Sequence, residues 1–376
     1  MVLSMASVLA LPVMAPAIAA DTGLAPSLLG VYSFVMWSSA MVGSSLAGEL
    51  IARLGAVRVV QVSLALCAVA LGFGAIGWTP ALAVVPPLVG VACAIETPAS
   101  SDILARVTRP EHRTFIFSLK QTGVQIGGML AGVVYPAALP ALGWRGTMAA
   151  LAALMLVWVF TLEPMRRRVD AASHATRPPA GGSGRLALVW HHRALRDLGT
   201  ASFVFHAMQI CLNTFLVAYL VGEHGYSLAA AGLALAVAQF GGFVGRLGFW
   251  LVIGPRLGVM TLLLAIGFGM TAAALATGLA AGVLSPLALG VLCFLFGLTA
   301  SGWNGVFLAE IARQAPPGEI ARVTGGVMMM SYAGLILGPV AFSAAAGAVS
   351  MGAGYVLLAV GTFVGTMVLR GARRPA

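Results

Sequence analysis

The chain has 376 residues, of which 60% are hydrophobic and 9% charged, with a net charge of +10. A mean hydropathy of +0.98 excludes an ordinary soluble domain, in which about a quarter of residues carry charge. The positive charge is not a nucleic-acid signature, because the arginines alternate with apolar runs instead of collecting on one soluble module.

A membrane-crossing helix needs about 20 mostly apolar residues. Twelve such spans follow in order, at 2–20, 27–48, 59–78, 81–104, 115–138, 146–163, 198–221, 228–252, 259–280, 285–310, 321–346 and 353–370. The expected fold class is an all-α membrane protein with twelve transmembrane helices in two pseudo-symmetric six-helix bundles, residues 1–163 and 198–376. Between them, 164–197 is a polar, Pro/Gly-rich linker holding seven arginines. Segment 1–20 ends in Ala17-Ile18-Ala19, which resembles a signal-peptide cleavage site. It lacks a basic stretch ahead of the apolar one, and cleavage would leave eleven spans, so it is read as span 1.

Loops on one side of the membrane hold Arg53 and Arg58, then Arg106, Arg109 and Arg113, the linker, Arg256, Arg313 and the tail Arg370, Arg373 and Arg374. The other side holds Arg145. Basic loops stay in the cytoplasm. Both termini and the linker are therefore expected inside, in a multi-pass protein of the cell (inner) membrane.

The halves repeat. Asp21-x-Gly23 and Gly30 return as Glu223-x-Gly225 and Gly232 at +202, and Arg53-Leu54-Gly55 as Arg256-Leu257-Gly258 at +203. Ala105-Arg106 returns as Ala312-Arg313 at +207, and Gly123-x-x-x-Gly127 as Gly334-x-x-x-Gly338 at +211. Two parallel six-span repeats with a substrate site at their interface is a transporter architecture. By this repeat, span 1 is expected to begin a few residues before Met1.

The loop Gly48-Glu-Leu-Ile-Ala52-Arg53-Leu-Gly55-Ala-Val-Arg58 resembles the G-x-L-x-D-R-x-G-R motif of the major facilitator superfamily, with Ala52 in place of the aspartate. The second copy, Gly254-Pro-Arg256-Leu-Gly258, also lacks the acid. Span 5, from Ser118-Leu-Lys120-Gln121 to Gly127-Gly128, is similar to bacterial cyanate- and organic-anion permeases, as are Gly143-Trp144-Arg145 and Ser301-Gly-Trp303-Asn304. The resemblance covers the whole chain. It implies a cavity lined by spans 1, 4, 7 and 10, an interface of spans 2, 5, 8 and 11, and a cytoplasmic latch. Loss of both aspartates removes that latch or moves it to Asp102 and Glu310.

Polar residues inside the spans are the candidate site. Ser202, His206, Gln209 and Asn213 on span 7 are spaced 4, 3 and 4, one helical stripe. It serves as a cavity wall or as interhelical hydrogen bonds. Glu96, the carboxylate placed deepest, precedes Thr97-Pro98 on span 4. A carboxyl group removed from water holds its proton more readily, which suits proton coupling. The repeat puts Trp303-Asn304 opposite Glu96-Thr97. Lys120 is the single lysine, and with Gln121 it is a candidate anion contact; the alternatives are an ion pair with Glu96 or snorkelling to the edge. Gln239 and Arg246 lie seven apart on span 8, and Arg246 is read as structural. Arg53, Asp102, Arg106, Arg113, Arg256, Glu310 and Arg322 are the candidate cytoplasmic gate, with Arg313 beside them. The small-residue pairs Gly123/Gly127, Gly241/Gly245 and Gly334/Gly338 suit either a sliding interface or close static packing.

No Walker motif, nucleophile elbow or metal-ligand spacing occurs, so neither an enzyme nor a cofactor is expected. Cys67, Cys93, Cys211 and Cys293 fall within spans and are expected as free thiols. The leading function is proton-coupled uptake of a small organic anion by a monomer, with the lipid bilayer, protons and a small-molecule substrate as partners and no nucleic acid. The alternatives are drug/proton efflux, for which Gly123-Val124-x-x-Gly127-Gly128 lacks the motif's proline, and a non-transporting membrane sensor.

Overall fold

The computed structural model describes residues 1–25, 27–109, 112–170, 189–248, 254–316 and 319–372, and every regular element among them is helical. Eleven helical stretches are long and apolar enough to cross a membrane, and one of these, Leu119–Arg166, is 48 residues long. At 1.5 Å per residue that stretch would measure about 70 Å, twice the ~30 Å hydrocarbon core. It comprises two spans. The helical run Arg113–Thr161 is interrupted at Gly143, whose φ of 64° and ψ of 175° no side chain adopts without strain. Pro136 and Pro140 lead into the break. Spans 5 and 6 separate there, and the twelve expected spans are accounted for.

The remaining spans are Val2–Thr22, Leu28–Leu54, Ala56–Ile76 and Val85–Val107 in the first half. In the second they are Arg193–Gly222, Leu228–Gly248, Val259–Ala280, the pair Pro286–Gly302 and Asn304–Gln314, then Ile320–Ala348 and Met351–Ala372. Span 7 starts at Arg193, inside the expected linker, and Glu163–Val169 at the linker's other end is a short helix. Span 10, expected as one helix, is broken at Trp303. Residues 171–188 of the linker and Arg373 and Arg374 lie outside the described residues, as does the Arg113 side chain.

The chain forms two compact units, Met1–Ala25 with Tyr32–Ala180, and Pro26–Val31 with Gly181–Ala376. The repeat is visible in each unit's backbone. Gly55 (φ 89°) and Gly258 (φ 75°) make the same turn before spans 3 and 9, and Gly23 (φ 71°) and Gly225 (φ 67°) follow spans 1 and 7.

It is visible in the packing as well. A Cβ at Gly127 would overlap the backbone of Val2, and one at Gly334 that of Phe203, so span 5 lies on span 1 as span 11 lies on span 7. Gly90 meets the Met36 carbonyl, and Gly241 that of Phe294, pairing spans 2 and 4 and spans 8 and 10. Gly74 against Met148 and Gly267 against Thr366 pair spans 3 and 6 and spans 9 and 12. Lipid tails are as apolar as leucine, so close van der Waals packing, not hydrophobic exclusion, holds such pairs together. Each of the three glycine pairs thus packs against a helix of its own unit.

Acids clamp the ends. Asp21 accepts from Trp144 Nε1 and from the Arg145 guanidinium, both at 3.0 Å, which explains the one arginine on the basic-poor side. Its repeat partner Glu223 accepts from the Met351 and Gly352 amides at the start of span 12. At the opposite end of the first unit, Asp170 caps span 3 by accepting from the Val57 and Arg58 amides at 3.0 and 3.1 Å. The motif-like loop around Gly55 thus has an acid beside it, donated from the stretch after span 6.

Gly334→Val should overpack against Phe203 and destabilise the protein by at least about 1–3 kcal/mol, read as a lower Tm in detergent. Gly290→Ala, a position with open space around it, should leave Tm unchanged or slightly raised.

Candidate functional site

In the first unit, Glu96 is buried on span 4, with the amino group of Met1 at 2.5 Å from Oε1. Pro98 removes the backbone donor one turn on. Ser100 on the following turn donates its hydroxyl to the Glu96 carbonyl at 2.8 Å. Lys120 reaches across from span 5 and donates to the Thr97 carbonyl at 2.8 Å and to Ser101 Oγ at 2.7 Å. Its ammonium therefore stitches span 5 to the proline turn of span 4, beside Glu96 and not on its carboxylate. Gln121 is exposed, whereas Gln125, one turn further in, is buried.

The second unit concentrates the polar groups. The span 7 stripe meets a partner at every step. Ser202 accepts from Ser331 of span 11 at 3.1 Å. His206 stands edge-on to Trp303, with ring centroids 4.6 Å apart. Gln209 accepts from Asn304 Nδ2 at 3.5 Å, and Asn213 accepts from Gln239 of span 8 at 2.9 Å. The Ser202 carbonyl lies 3.0 Å from His206 Nδ1 and can only accept, so Nδ1 carries the proton and Nε2 of the neutral ring is an acceptor.

The break in span 10 is the centre of this cluster. Where Pro286–Gly302 ends, its last carbonyls lose their helical partners. Side chains replace them: Trp303 Nε1 donates to the Ala300 carbonyl at 3.0 Å, and Arg246 Nε to the Ser301 carbonyl at 3.1 Å. Asn304 Nδ2 adds a longer bond to that same Ser301 oxygen at 3.4 Å. Arg246 and Asn304 thus converge on one atom, which brings a guanidinium to the polar stripe. Both are half-buried, as are His206 and Gln209, while Trp303 is fully buried.

Sequence reasoning named His206, Gln209, Asn213, Trp303 and Asn304, and the structure brings these five together. It set Arg246 aside as structural and gave Gln239 no role. Their spacing of seven on span 8 puts both on the face that meets spans 7 and 10, and that was the available signal.

The candidate gate residues sit in local pairs. Arg53 pairs with Glu49 at 2.5 Å, Arg106 with Asp102 at 2.8 Å and Arg322 with Glu319 at 2.8 Å, each within one helical turn. Glu310 is fully buried and accepts from Arg313 and Gln314, and with Asp197 it joins Glu96 among the buried acids. Arg256 is exposed. All four cysteines are free thiols. No group of three or more metal-binding side chains occurs among the described residues.

Comparisons with known proteins agree with this architecture. The Major Facilitator Superfamily model matches residues 1–339. A gallate transporter of Pseudomonas putida is 25% identical over 265 residues, covering 62% of this chain and 59% of the relative. An uncharacterised MFS-type transporter of Mycobacterium tuberculosis is 25% identical over 151 residues, 36% of this chain and 30% of its own. The chain thus spans little more than half, or less, of the curated relatives it matches. Among solved structures, a bacterial homologue of the human lysosomal transporter Spinster superposes with a TM-score of 0.74 at 14% identity, over 99% of this chain and 94% of that one. The nucleoside transporter NupG gives 0.75 at 15% identity, over 99% and 98%. At such identities these structures establish the fold alone.

Lys120→Met removes charge-assisted bonds to span 4, each worth about 1.5–3 kcal/mol when well formed. It should lower the Tm of the ligand-free protein by several degrees. An unchanged Tm would mean that this stitch contributes nothing to stability.

Proposed function

The chain belongs to the major facilitator superfamily, a transporter and not an enzyme, and from that premise we propose that it takes up a small organic anion together with protons by alternating access. The observation that carries this reading is the convergence of Arg246 and Asn304 on the Ser301 carbonyl, at the helix break where His206 meets Trp303. A guanidinium presents donors in a planar fork that matches a carboxylate. Cationic side chains inside a span mark substrate or ion pathways. His206, Gln209, Asn213 and Asn304 supply further donors and acceptors, and the buried Trp303 packs edge-on against His206. The gallate transporter relative supports the substrate class, since gallate is an aromatic carboxylate.

Glu96 is the proposed proton carrier. It is a buried carboxylate inside span 4, and acids placed within spans mark proton relays. Lys120 and Gln121, proposed from sequence as substrate contacts, take a different place in this reading. Lys120 holds the Thr97–Ser101 turn next to Glu96 and so positions the carrier. The arginine-rich loops support a cell (inner) membrane location with both termini cytoplasmic, and the protein is taken as a monomer.

The test is uptake of benzoate into proteoliposomes under an imposed pH gradient. Uptake should respond to the gradient in the wild type. Arg246→Gln should lower kcat/KM by about 10- to 100-fold, the equivalent of one charge-assisted interaction. Glu96→Gln should still bind benzoate but lose the response to the gradient. Transport of lipophilic cations alone, abolished in Glu96→Gln, would overturn uptake in favour of drug/proton exchange.

A further inference from the structure

Gln239 of span 8 is 1% exposed and donates through Nε2 to Asn213 Oδ1 at 2.9 Å. Its other amide atom, Oε1, is buried without a hydrogen-bond partner among the described residues. Leaving a buried carbonyl unpaired costs about 1–3 kcal/mol, so such atoms need an explanation. Gln239 is not an isolated oddity of packing. The first rungs of the span 7 stripe are closed contacts, Ser202 with Ser331, His206 with Trp303 and Gln209 with Asn304. The last, Asn213 with Gln239, ends on an acceptor still looking for a donor. At the +202 offset of the repeat, Gln239 corresponds to Trp37 of span 2, whose Nε1 is likewise buried and unpartnered among the described residues. Each repeat therefore keeps one unpaired polar atom at the same depth of its second span.

We propose that Gln239 is a specificity-determining residue whose Oε1 accepts a hydrogen bond from a hydroxyl group of the transported anion, so that the substrate is a hydroxylated carboxylate. The inference rests on the organic-anion reading above. The spacing suits it. Gln209 and Asn213 are one helical turn apart, about 6 Å along the axis, so the Asn304 and Gln239 rungs lie about one aromatic ring from each other. An acid bound through its carboxylate beside Arg246 and Asn304 presents a hydroxyl on its far side to Gln239. In this arrangement the orphan acceptor selects by hydroxylation: an acid without the hydroxyl leaves Oε1 unpaired and forgoes the bond.

Matched acids decide it, with the purified full chain in detergent and thermal stabilisation as the readout. In the wild type, para-hydroxybenzoate should stabilise at about tenfold lower concentration than benzoate. Gln239→Met, which keeps the volume and removes the amide, should abolish that preference while benzoate still stabilises. Equal potency of the matched acids on the wild type would overturn the proposal without needing any variant to fold. So would a preference that survives in Gln239→Met, which would leave Gln239 as a tie between spans 7 and 8. If no carboxylate stabilises the wild type, the organic-anion reading itself fails, and this inference with it.

Discussion

The hydrocarbon core of a membrane offers no water, so each backbone and side-chain polar group inside it must find a partner within the protein. The rest of this structure follows from that constraint. It makes every described element helical, because a helix satisfies its own backbone. It also makes each departure from helix expensive unless side chains move in. At the break in span 10, they do. The break in span 10 is closed by Trp303, Arg246 and Asn304. The site of chemical interest coincides with the place where the backbone needed help. A helix break costs hydrogen bonds, and a protein keeps one where polar groups are wanted.

The two halves solve this problem with the same scaffold and different side chains. In each, glycines on spans 2 and 4, 5 and 1, and 3 and 6, or their counterparts, let backbones touch. In each, an acid after the first span clamps the start of the last. The residues placed at equivalent depths on spans 4 and 10 have diverged: Glu96-Thr97 in one, Trp303-Asn304 in the other. The shared contacts carry the fold, and the diverged positions carry the chemistry.

Much of the fold was legible in sequence because a span needs only length and low polarity, and both are local properties. The twelve spans, the arginine pattern and the repeat offsets required no knowledge of neighbours. Gly143 was legible as part of a short motif in the gap between apolar runs; its positive φ explains why a gap of a few residues suffices. The glycine pairs were legible as contacts, but not which helix they touch, since a spacing of four says nothing about the partner. The gate residues show the same limit. Asp102, Glu310 and Arg322 suggested a network, yet each finds its partner within a turn of its own helix. A nearby acid of the right spacing wins because it costs little extra ordering of the chain.

The contrast between Lys120 and Arg246 shows why the site was harder to read than the fold. Lys120 stood out as the single lysine, and rarity drew attention to it. Arg246 was hidden among 20 arginines, most of them loop residues whose role is orientation. Depth along a helix, which sequence provides, placed both near an inner end. What separates them is the partner across the gap, which sequence does not provide. Lys120 meets the Thr97 carbonyl and the Ser101 hydroxyl of span 4. Arg246 meets the end of a broken helix, next to an asparagine, a histidine and a tryptophan from two spans. A compact ammonium can satisfy a carbonyl and a hydroxyl and have its chemistry spent there. A guanidinium carries five donors in one rigid plane, of which Nε of Arg246 braces the Ser301 carbonyl. The residue type, more than its rarity, made the arginine the better candidate for holding an anion.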